Sequence, residues 1–278
     1  MSGFYPEWLA LREPVDHSAR NGQVESTVRA HFAARASLTV VDLGCGTGSN
    51  LRALAPMLPM RQHWHLIDGD PALLAEARRS LASWADSARE ADNDIWLDKG
   101  DRQIRVSFEC ADLTERDLRF ADIAPDLVTA AALFDLVSEE WLERLVASSA
   151  ERHVPLYAVL NYDGIARWRP ETPLDERVVV AFNRHQRGDK GFGPALGPTT
   201  SDTLATLLSR HGYRVWQGDS PWQLGPDDSS LIAALTAGFA NAASEIEPEM
   251  ADALKDWAEQ RARSDDVVIG HRDIFAAF

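Results

Sequence analysis

Residues 39–51 read TVVDLGCGTGSNL, and this stretch limits the fold of the chain more than any other. The apolar and β-branched residues before Asp42 predict a buried strand, and glycines at 44, 46 and 48 follow it directly. Glycine lets a backbone approach a ligand closely, and the helix that begins near Ser49 offers unpaired N–H groups. The stretch therefore predicts a strand, a ligand-binding turn and a helix, which together form one unit of an α/β sheet.

The rest of the chain continues this alternation of strands and helices. Seven strands are predicted, at 37–43, 63–68, 104–113, 125–133, 154–162, 213–217 and 266–278. Helices are predicted between them, and one of these covers 71–89. Another helical segment, 228–262, forms an insertion between strands six and seven. Because such connections are right-handed crossovers, we expect an α/β fold with a seven-stranded, mostly parallel sheet and helices on both faces.

Charge and composition argue against several classes of partner. The formal net charge is −15, whereas binding to phosphate backbones depends on Lys and Arg. No apolar run approaches the roughly 20 residues that cross a bilayer, and the N-terminus lacks a signal-peptide pattern. The two cysteines, Cys45 and Cys110, are too few for a disulfide framework or a metal site. We expect a cytoplasmic protein that binds neither nucleic acid nor membrane.

The glycine turn also indicates the class of cofactor. A dinucleotide site would read G-x-G-x-x-G, but position 49 is Ser. Asp42 lies two residues before the first glycine, where its charge would repel a pyrophosphate and attract an ammonium group. S-adenosylmethionine fits this requirement, because it carries an ammonium, a carboxylate and a sulfonium but no phosphate.

From Asp42 to Gly48 the sequence resembles the first motif of the class I S-adenosylmethionine-dependent methyltransferases, D/E-x-G-x-G-x-G, and the resemblance is close over 38–161. It implies a Rossmann-like fold, S-adenosylmethionine as cofactor and S-adenosylhomocysteine as product. Asp68 resembles the acid that binds the ribose hydroxyls in this family, and Asp112 the acid that binds the adenine amino group. The cofactor-binding residues that we expect are Arg20, Asp42, Gly44, Cys45, Gly46, Asn50, Asp68, Gly69, Asp112, Leu113 and Ala131.

A helical lid is expected before the first strand. Arg12, Asp16 and Arg20 recur there at four-residue spacing. They could form a ladder of ion pairs on an exposed helix face. Alternatively, Arg20 or Arg12 could hold the methionine carboxylate or an acidic substrate, because the guanidinium fork matches a carboxylate. Pro14 is expected at the first turn of the second of two short helices.

The chain shows no Ser/Gly/Pro-rich linker, so one domain is expected over residues 1–278. Within it, 1–36 form the helical lid and 37–161 the cofactor-binding core. Residues 162–278 hold a substrate loop, the last strands and the helical insertion.

The acceptor should bind at the carboxyl ends of the strands, where an open α/β sheet has its cleft. A polar, glycine-rich stretch at 182–200 is interpreted as a substrate loop. Its His185 is the favoured general base, since a histidine pKa near 6.5 suits proton removal at neutral pH. Tyr162 and Asp163, after strand five, are the other candidate catalytic residues, and His17 of the lid is a weaker one.

Several related functions remain open at this point. A metal-dependent methyltransferase of the catechol type would place an acid where Ala130–Ala132 stand, so no metal is expected. An aminopropyl transferase would carry paired acids where Asp135 stands alone. A nicotinamide-dependent oxidoreductase conflicts with the charge of Asp42. A non-catalytic relative could use 228–262 as a homodimer contact. The favoured function is methyl transfer to a small molecule.

Overall fold

The computed structural model describes residues 5–91 and 93–278, so the first four residues of the predicted lid lie outside the described residues. Within these ranges, ten strands form one mixed sheet. The strands are β1 Ser37–Leu43, β2 Arg61–Asp68, β3 Ser87–Ala91, β4 Asp94–Lys99, β5 Arg102–Cys110, β6 Leu127–Ala131, β7 Leu156–Trp168, β8 Arg214–Asp219, β9 Trp222–Leu224 and β10 Val267–Ala277.

All seven predicted strands form, as β1, β2, β5, β6, β7, β8 and β10. They lie side by side in the order β5-β2-β1-β6-β7-β10-β8. The four neighbouring pairs from β5 to β7 are parallel. Strand β10 runs antiparallel to β7, β8 and β9. The carboxyl ends of β5, β2, β1, β6 and β7 therefore lie along one edge of the sheet.

The prediction of seven mostly parallel strands is wrong in number and in direction. Strands β3 and β4 form an antiparallel hairpin that extends the sheet beyond β5, and β9 adds to β10. The predicted helix at 71–89 ends at Trp84, and its last residues enter β3 instead. The β3 sequence SAREA is polar and mostly exposed, so pairing with β4 decides its structure where local propensity favours a helix.

Nine α-helices form in the described part of the chain: α1 Pro6–Ala19, α2 Gly22–Phe32, α3 Ser49–Leu54, α4 Pro71–Trp84, α5 Glu139–Glu151, α6 Pro173–Gln186, α7 Thr200–Arg210, α8 Ser229–Ile246 and α9 Ala251–Arg261. Helix α1 is continuous through Pro14, so the prediction of two short helices is wrong. A proline inside a helix removes one backbone hydrogen bond. Tertiary contacts of the buried Arg12 and Asp16 offset that loss.

Helices cover both faces of the sheet, because neighbouring residues of a strand point to opposite sides. Val40 packs into a core with α2, α3 and α4, whereas Val41 packs into a second core with α5 and α7. A third core joins the C-terminal half of β7 and the N-terminal residues of β10 to α6, α8 and α9. The apolar side of α1 packs against this core. This third core fixes α1 beside the carboxyl edge of the sheet. In the described ranges no helix is both long enough and apolar enough to cross a membrane.

Candidate functional site

The turn after β1 needs its glycines for backbone conformation and for close packing. Gly44, Gly46 and Gly48 all have positive φ, at 60°, 53° and 77°. Side chains other than glycine rarely adopt this region. A Cβ atom on Gly46 would also lie 3.1 Å from Cδ1 of Leu9 in α1. The turn is therefore a backbone surface with α1 directly above it.

A chain of hydrogen bonds connects three of the predicted residues at the end of β1. Asn50 donates from Nδ2 to Oδ1 of Asp42 over 2.7 Å and to Oγ1 of Thr129 over 3.1 Å. Arg20, which follows α1, donates from Nη2 to Oδ1 of Asn50 over 2.9 Å. Asp42 is completely buried, and Arg20 and Asn50 nearly so. The structure thus brings together residues from the lid, the first strand and the first crossover helix.

This network leaves polar atoms without partners. Oδ2 of Asp42 and both Nε and Nη1 of Arg20 are buried and make no hydrogen bond within residues 5–91 and 93–278. Burial raises the pKa of Asp42 to about 7, against the opposing effects of the Asn50 hydrogen bond and the Arg20 charge. One free acceptor beside two free donors is the complement of an ammonium and a carboxylate. The residues present therefore fit the amino-acid end of S-adenosylmethionine.

Asp68, at the end of β2, anchors the glycine turn from the neighbouring strand. Its Oδ2 accepts the N–H of Gly46 over 2.8 Å, and its Oδ1 accepts the N–H of Asp70 over 2.9 Å. Burial raises the pKa of this carboxyl. Each carboxylate oxygen can still accept a further hydrogen bond, as binding of ribose hydroxyls would require. Gly69, next in the chain, is exposed.

The other predicted cofactor residues lie along the same edge, after β5 and β6. Asp112 is exposed, and its Oδ1 accepts from the N–H and the Oγ1 of Thr114, which lowers its pKa. Leu113 is buried, and its carbonyl accepts from Nε1 of Trp141 over 2.8 Å. Ala131 is half-buried at the end of β6.

Cys45 contributes to the turn through its backbone rather than its side chain. Its N–H donates to the carbonyl of Ile67 over 3.2 Å. The side chain packs into the core on the α2–α4 face, where burial raises the pKa of the thiol. A contact between Cys45 and a cofactor would therefore involve main-chain atoms.

Helix α1 is tied to the glycine turn by polar contacts. Glu13 accepts from Nε of Arg52 in α3 over 2.7 Å, and Arg52 also donates to the carbonyl of Thr47 over 2.8 Å. Nε2 of His17 lies 3.0 Å from Oγ of Ser49. Burial, together with the charge of a nearby arginine, lowers the pKa of His17. These contacts hold the lid against the start of the crossover helix.

The three predicted catalytic residues lie in different surroundings. His185 is part of α6 rather than of a loop, so the first residues of the predicted substrate loop, 182–186, are helical. Its Nε2 lies 3.1 Å from Glu245 of α8. Tyr162 is buried and donates to Oδ1 of Asn183 over 2.9 Å. Asp163 points to the other side of β7 and accepts the N–H of Ile165. The structure does not bring these three side chains together.

A second buried polar cluster lies beside Tyr162; the sequence analysis noted Asp135 of this cluster but did not single out His271. Asp135 stands in the turn Phe134–Leu136 that follows β6, and His271 is paired with Tyr162 across β7 and β10. Asp135 is 8% exposed and His271 6%. A sequence signal existed for each. Asp135 is an acid just past a strand end, and His271 interrupts the apolar run of β10. In residues 5–91 and 93–278, no three His, Cys, Asp or Glu side chains group as metal ligands would.

Comparisons with solved structures show the class of fold. The chain aligns over 92% of its length with 98% of the YcgJ protein from Bacillus subtilis, at 16% identity and a TM-score of 0.53. It aligns over 99% of its length with 95% of a cyclopropane-fatty-acyl-phospholipid synthase-like protein from Lactobacillus casei, at 17% identity and a TM-score of 0.54. It also aligns over 99% of its length with 95% of the cyclopropane synthase MmaA2 from Mycobacterium tuberculosis, at 12% identity and a TM-score of 0.51. At these identities the likeness is one of fold alone.

The family comparison is more specific. Residues 40–154 match the family described as a methyltransferase domain. No curated protein matches the chain. Residues 40–154 thus form a methyltransferase domain, and the predicted family and enzyme class are confirmed for this part of the chain. The predicted cofactor, S-adenosylmethionine, agrees with this family match.

Proposed function

We propose that this chain transfers a methyl group from S-adenosylmethionine to a small-molecule acceptor by in-line displacement. The observation that supports the proposal best is the buried Arg20–Asn50–Asp42 network with its unpartnered atoms beside the glycine turn. When bound, the cofactor supplies a methyl group that is already activated by the sulfonium. The protein then has to hold the amino-acid end, exclude water and align the acceptor opposite the sulfur.

The cover over the sheet edge supports a small acceptor. Leu9 of α1 lies against the glycine turn, and the ion pair between Glu13 and Arg52 holds the helix there. A polymer would need an open groove at this edge. The net charge of −15 also disfavours a nucleic acid as acceptor. An acceptor enclosed under α1 satisfies both observations.

The same network favours methyl transfer over the two other transfer chemistries. Aminopropyl transferases use a decarboxylated cofactor, and Nε and Nη1 of Arg20 would then lack the carboxylate that they suit. A nicotinamide dinucleotide would bring a pyrophosphate towards the buried carboxyl of Asp42. The intact amino-acid end of S-adenosylmethionine satisfies both side chains.

Three further parts of the proposal concern the whole protein. They are a cytoplasmic location, the absence of nucleic-acid and membrane partners, and a homodimer contact through residues 228–262. The third core offers an alternative role for that segment, because α8 and α9 pack on α6. Light scattering in solution would decide between the dimer contact and this internal role.

A transfer assay tests the proposed function. Protein and S-adenosylmethionine are incubated with a panel of phenols, alcohols, amines and thiols, and S-adenosylhomocysteine is measured by chromatography. We expect product with at least one acceptor, and strong loss of product in Asp42→Asn. The matched control is Asp227→Asn, the same change at an exposed position. Failure to bind S-adenosylhomocysteine at millimolar concentration would contradict the proposal.

A further inference from the structure

Two buried side chains beside the cofactor site lack hydrogen-bond partners. Oδ1 of Asp135 and Nδ1 of His271 are buried and make no hydrogen bond within the described ranges. Buried polar groups in folded proteins almost always have a partner. A pair of such atoms in one region fits a site where a ligand supplies the missing partners.

The position of the pair relates it to the methyl group. Strand β6 lies between β1 and β7, so Asp135 follows the strand next to the one that carries Asp42. Ala132, directly after β6, and Leu160, within β7, have φ of 51° and 56°. Non-glycine residues adopt this backbone region at a cost, and such residues concentrate at functional sites.

Aromatic rings form the wall of this cluster. The ring of His271 lies 6.2 Å from that of Tyr162 and 5.1 Å from that of Trp222, between centroids. Arg12 of α1 lies 5.0 Å above the Trp222 ring. Helix α1 thus lies over the cluster.

The other polar side chains near Asp135 and His271 already have hydrogen-bond partners. Arg12 donates to Asp16 over 2.8 Å, and Asp16 also accepts from Nε1 of Trp222 over 3.0 Å. The hydroxyl of Tyr162 donates to Asn183. This leaves the carboxyl of Asp135 and the imidazole of His271 for a ligand.

The charge states of the pair at neutral pH follow from burial. Burial raises the pKa of Asp135 to about 6, which the nearby Arg12 partly opposes. Burial and the charge of Arg12 together lower the pKa of His271 to about 3, against the opposing effect of a hydrogen bond with the Ile269 backbone. Asp16 and Tyr162 are the other titratable groups around the cluster, whereas the half-buried Asp163 points to the opposite side of β7. At pH 7.5 the cluster therefore offers one carboxylate and one neutral imidazole.

We propose that Asp135 and His271 form the acceptor subsite, and that this subsite takes a neutral aromatic compound with a hydroxyl group whose proton Asp135 receives. The single carboxylate needs one O–H donor, and the ring wall suits a planar body. An anionic acceptor would find Arg12 already paired with Asp16. This inference rests on the proposed function.

The transfer step balances with Asp135 as the base. The hydroxyl oxygen forms the bond to the methyl carbon, and the carbon–sulfur bond breaks with its electron pair going to sulfur. The O–H proton passes to the Asp135 carboxylate, which later releases it to water. Asp135 is thus a catalytic residue, and His271 fixes the orientation of the acceptor.

A ligand comparison tests the subsite without measuring activity. Protein with ¹⁵N-labelled histidine is saturated with S-adenosylhomocysteine at pH 7.5, and the His271 signal is assigned from His271→Gln. The labelled protein is then titrated with 4-methylphenol. The matched control ligand is 4-methylanisole, which lacks the O–H group. We expect 4-methylphenol to shift the His271 signal and to bind about tenfold or more tightly than the ether. Asp135→Asn should weaken 4-methylphenol binding about tenfold, whereas Asp227→Asn should leave it unchanged.

Three results would overturn the subsite: equal binding of the two ligands, no shift of the His271 signal, or unchanged binding in Asp135→Asn. If Asp135→Asn does not fold, the comparison of the two ligands on the wild-type protein still tests the subsite. Failure of S-adenosylhomocysteine to bind would instead refute the proposed function, and the subsite with it. Saturation by S-adenosylhomocysteine followed by any of the three results would refute the subsite alone.

Discussion

The substitution Asp42→Asn should make the free protein more stable at alkaline pH. Asp42 is completely buried, and burial raises its pKa from 3.8 to about 7. The folded protein therefore holds this proton more tightly than the unfolded chain does, so stability falls as pH rises from 3.8 to 7. An amide has nearly the same shape and does not ionise, so it removes this loss.

The size of the effect follows from the shift in pKa. Each unit corresponds to about 1.4 kcal/mol, so ionisation of Asp42 costs the folded state about 4 kcal/mol at pH 8. At pH 4 the corresponding difference is only about 0.5 kcal/mol. The variant should thus gain stability relative to wild type between pH 4 and 7, and the gain should level off above pH 7.

Urea denaturation at a series of pH values, without cofactor, measures this gain. Asp227→Asn, at an exposed position, is the control and should show no such trend. A stability difference between Asp42→Asn and wild type that stays constant from pH 4 to 8 would refute the reasoning. The gain in stability should be accompanied by weaker binding of the cofactor, because the variant lacks the charge that attracts the ammonium.

Three further predictions concern the lid, the glycine turn and the third core. Glu13→Gln leaves the buried guanidinium of its partner in α3 without a countercharge, so the free energy of unfolding should fall by about 2 kcal/mol in urea denaturation. Gly46→Ala forces a Cβ atom onto a backbone with positive φ beneath α1, so stability should fall by about 1 to 2 kcal/mol and S-adenosylhomocysteine should bind more weakly in calorimetry. Asp175→Asn breaks the buried ion pair with Arg261, and thermal unfolding followed by circular dichroism should show a loss of about 3 kcal/mol.

Exposed positions provide the matched controls. Glu259→Gln and Asp227→Asn repeat the chemical changes in solvent and should leave stability unchanged within about 0.5 kcal/mol. Gly238→Ala places a methyl group in open space on α8 and should be neutral or slightly stabilising. If a control loses as much stability as its test variant, the cause assigned to that test variant is wrong.

The first strand, the turn and the crossover helix could be predicted because their signals are local. The apolar run before Asp42 requires burial, and the glycines permit a backbone that few other residues adopt. The helix at 139–151 also begins at a local signal, because the hydroxyl of Ser138 accepts the N–H of Trp141. Strand ends followed by acids then placed Asp68 at the correct edge of the sheet.

Elements decided by tertiary contacts could not be predicted in this way. The polar residues 182–186 were interpreted as loop, but they continue α6, whose start is fixed by Thr172 and Asp175 in a capping box. The relation of Asp135 to His271 depends on the pairing of β10 with β7, which joins segments far apart in the sequence. Neither the hydrophobic period nor a motif carries that information.

The central claim is that the network of Arg20, Asn50 and Asp42 binds the amino-acid end of S-adenosylmethionine. Calorimetry at pH 8 tests it with two ligands, S-adenosylhomocysteine and 5′-methylthioadenosine, which lacks the ammonium and the carboxylate. Hydrogen bonds to charged groups contribute about 1.5 to 3 kcal/mol each, so the claim predicts that S-adenosylhomocysteine binds one-to-one and about 100-fold more tightly. Equal affinity for the two ligands, or no binding of either, would contradict it.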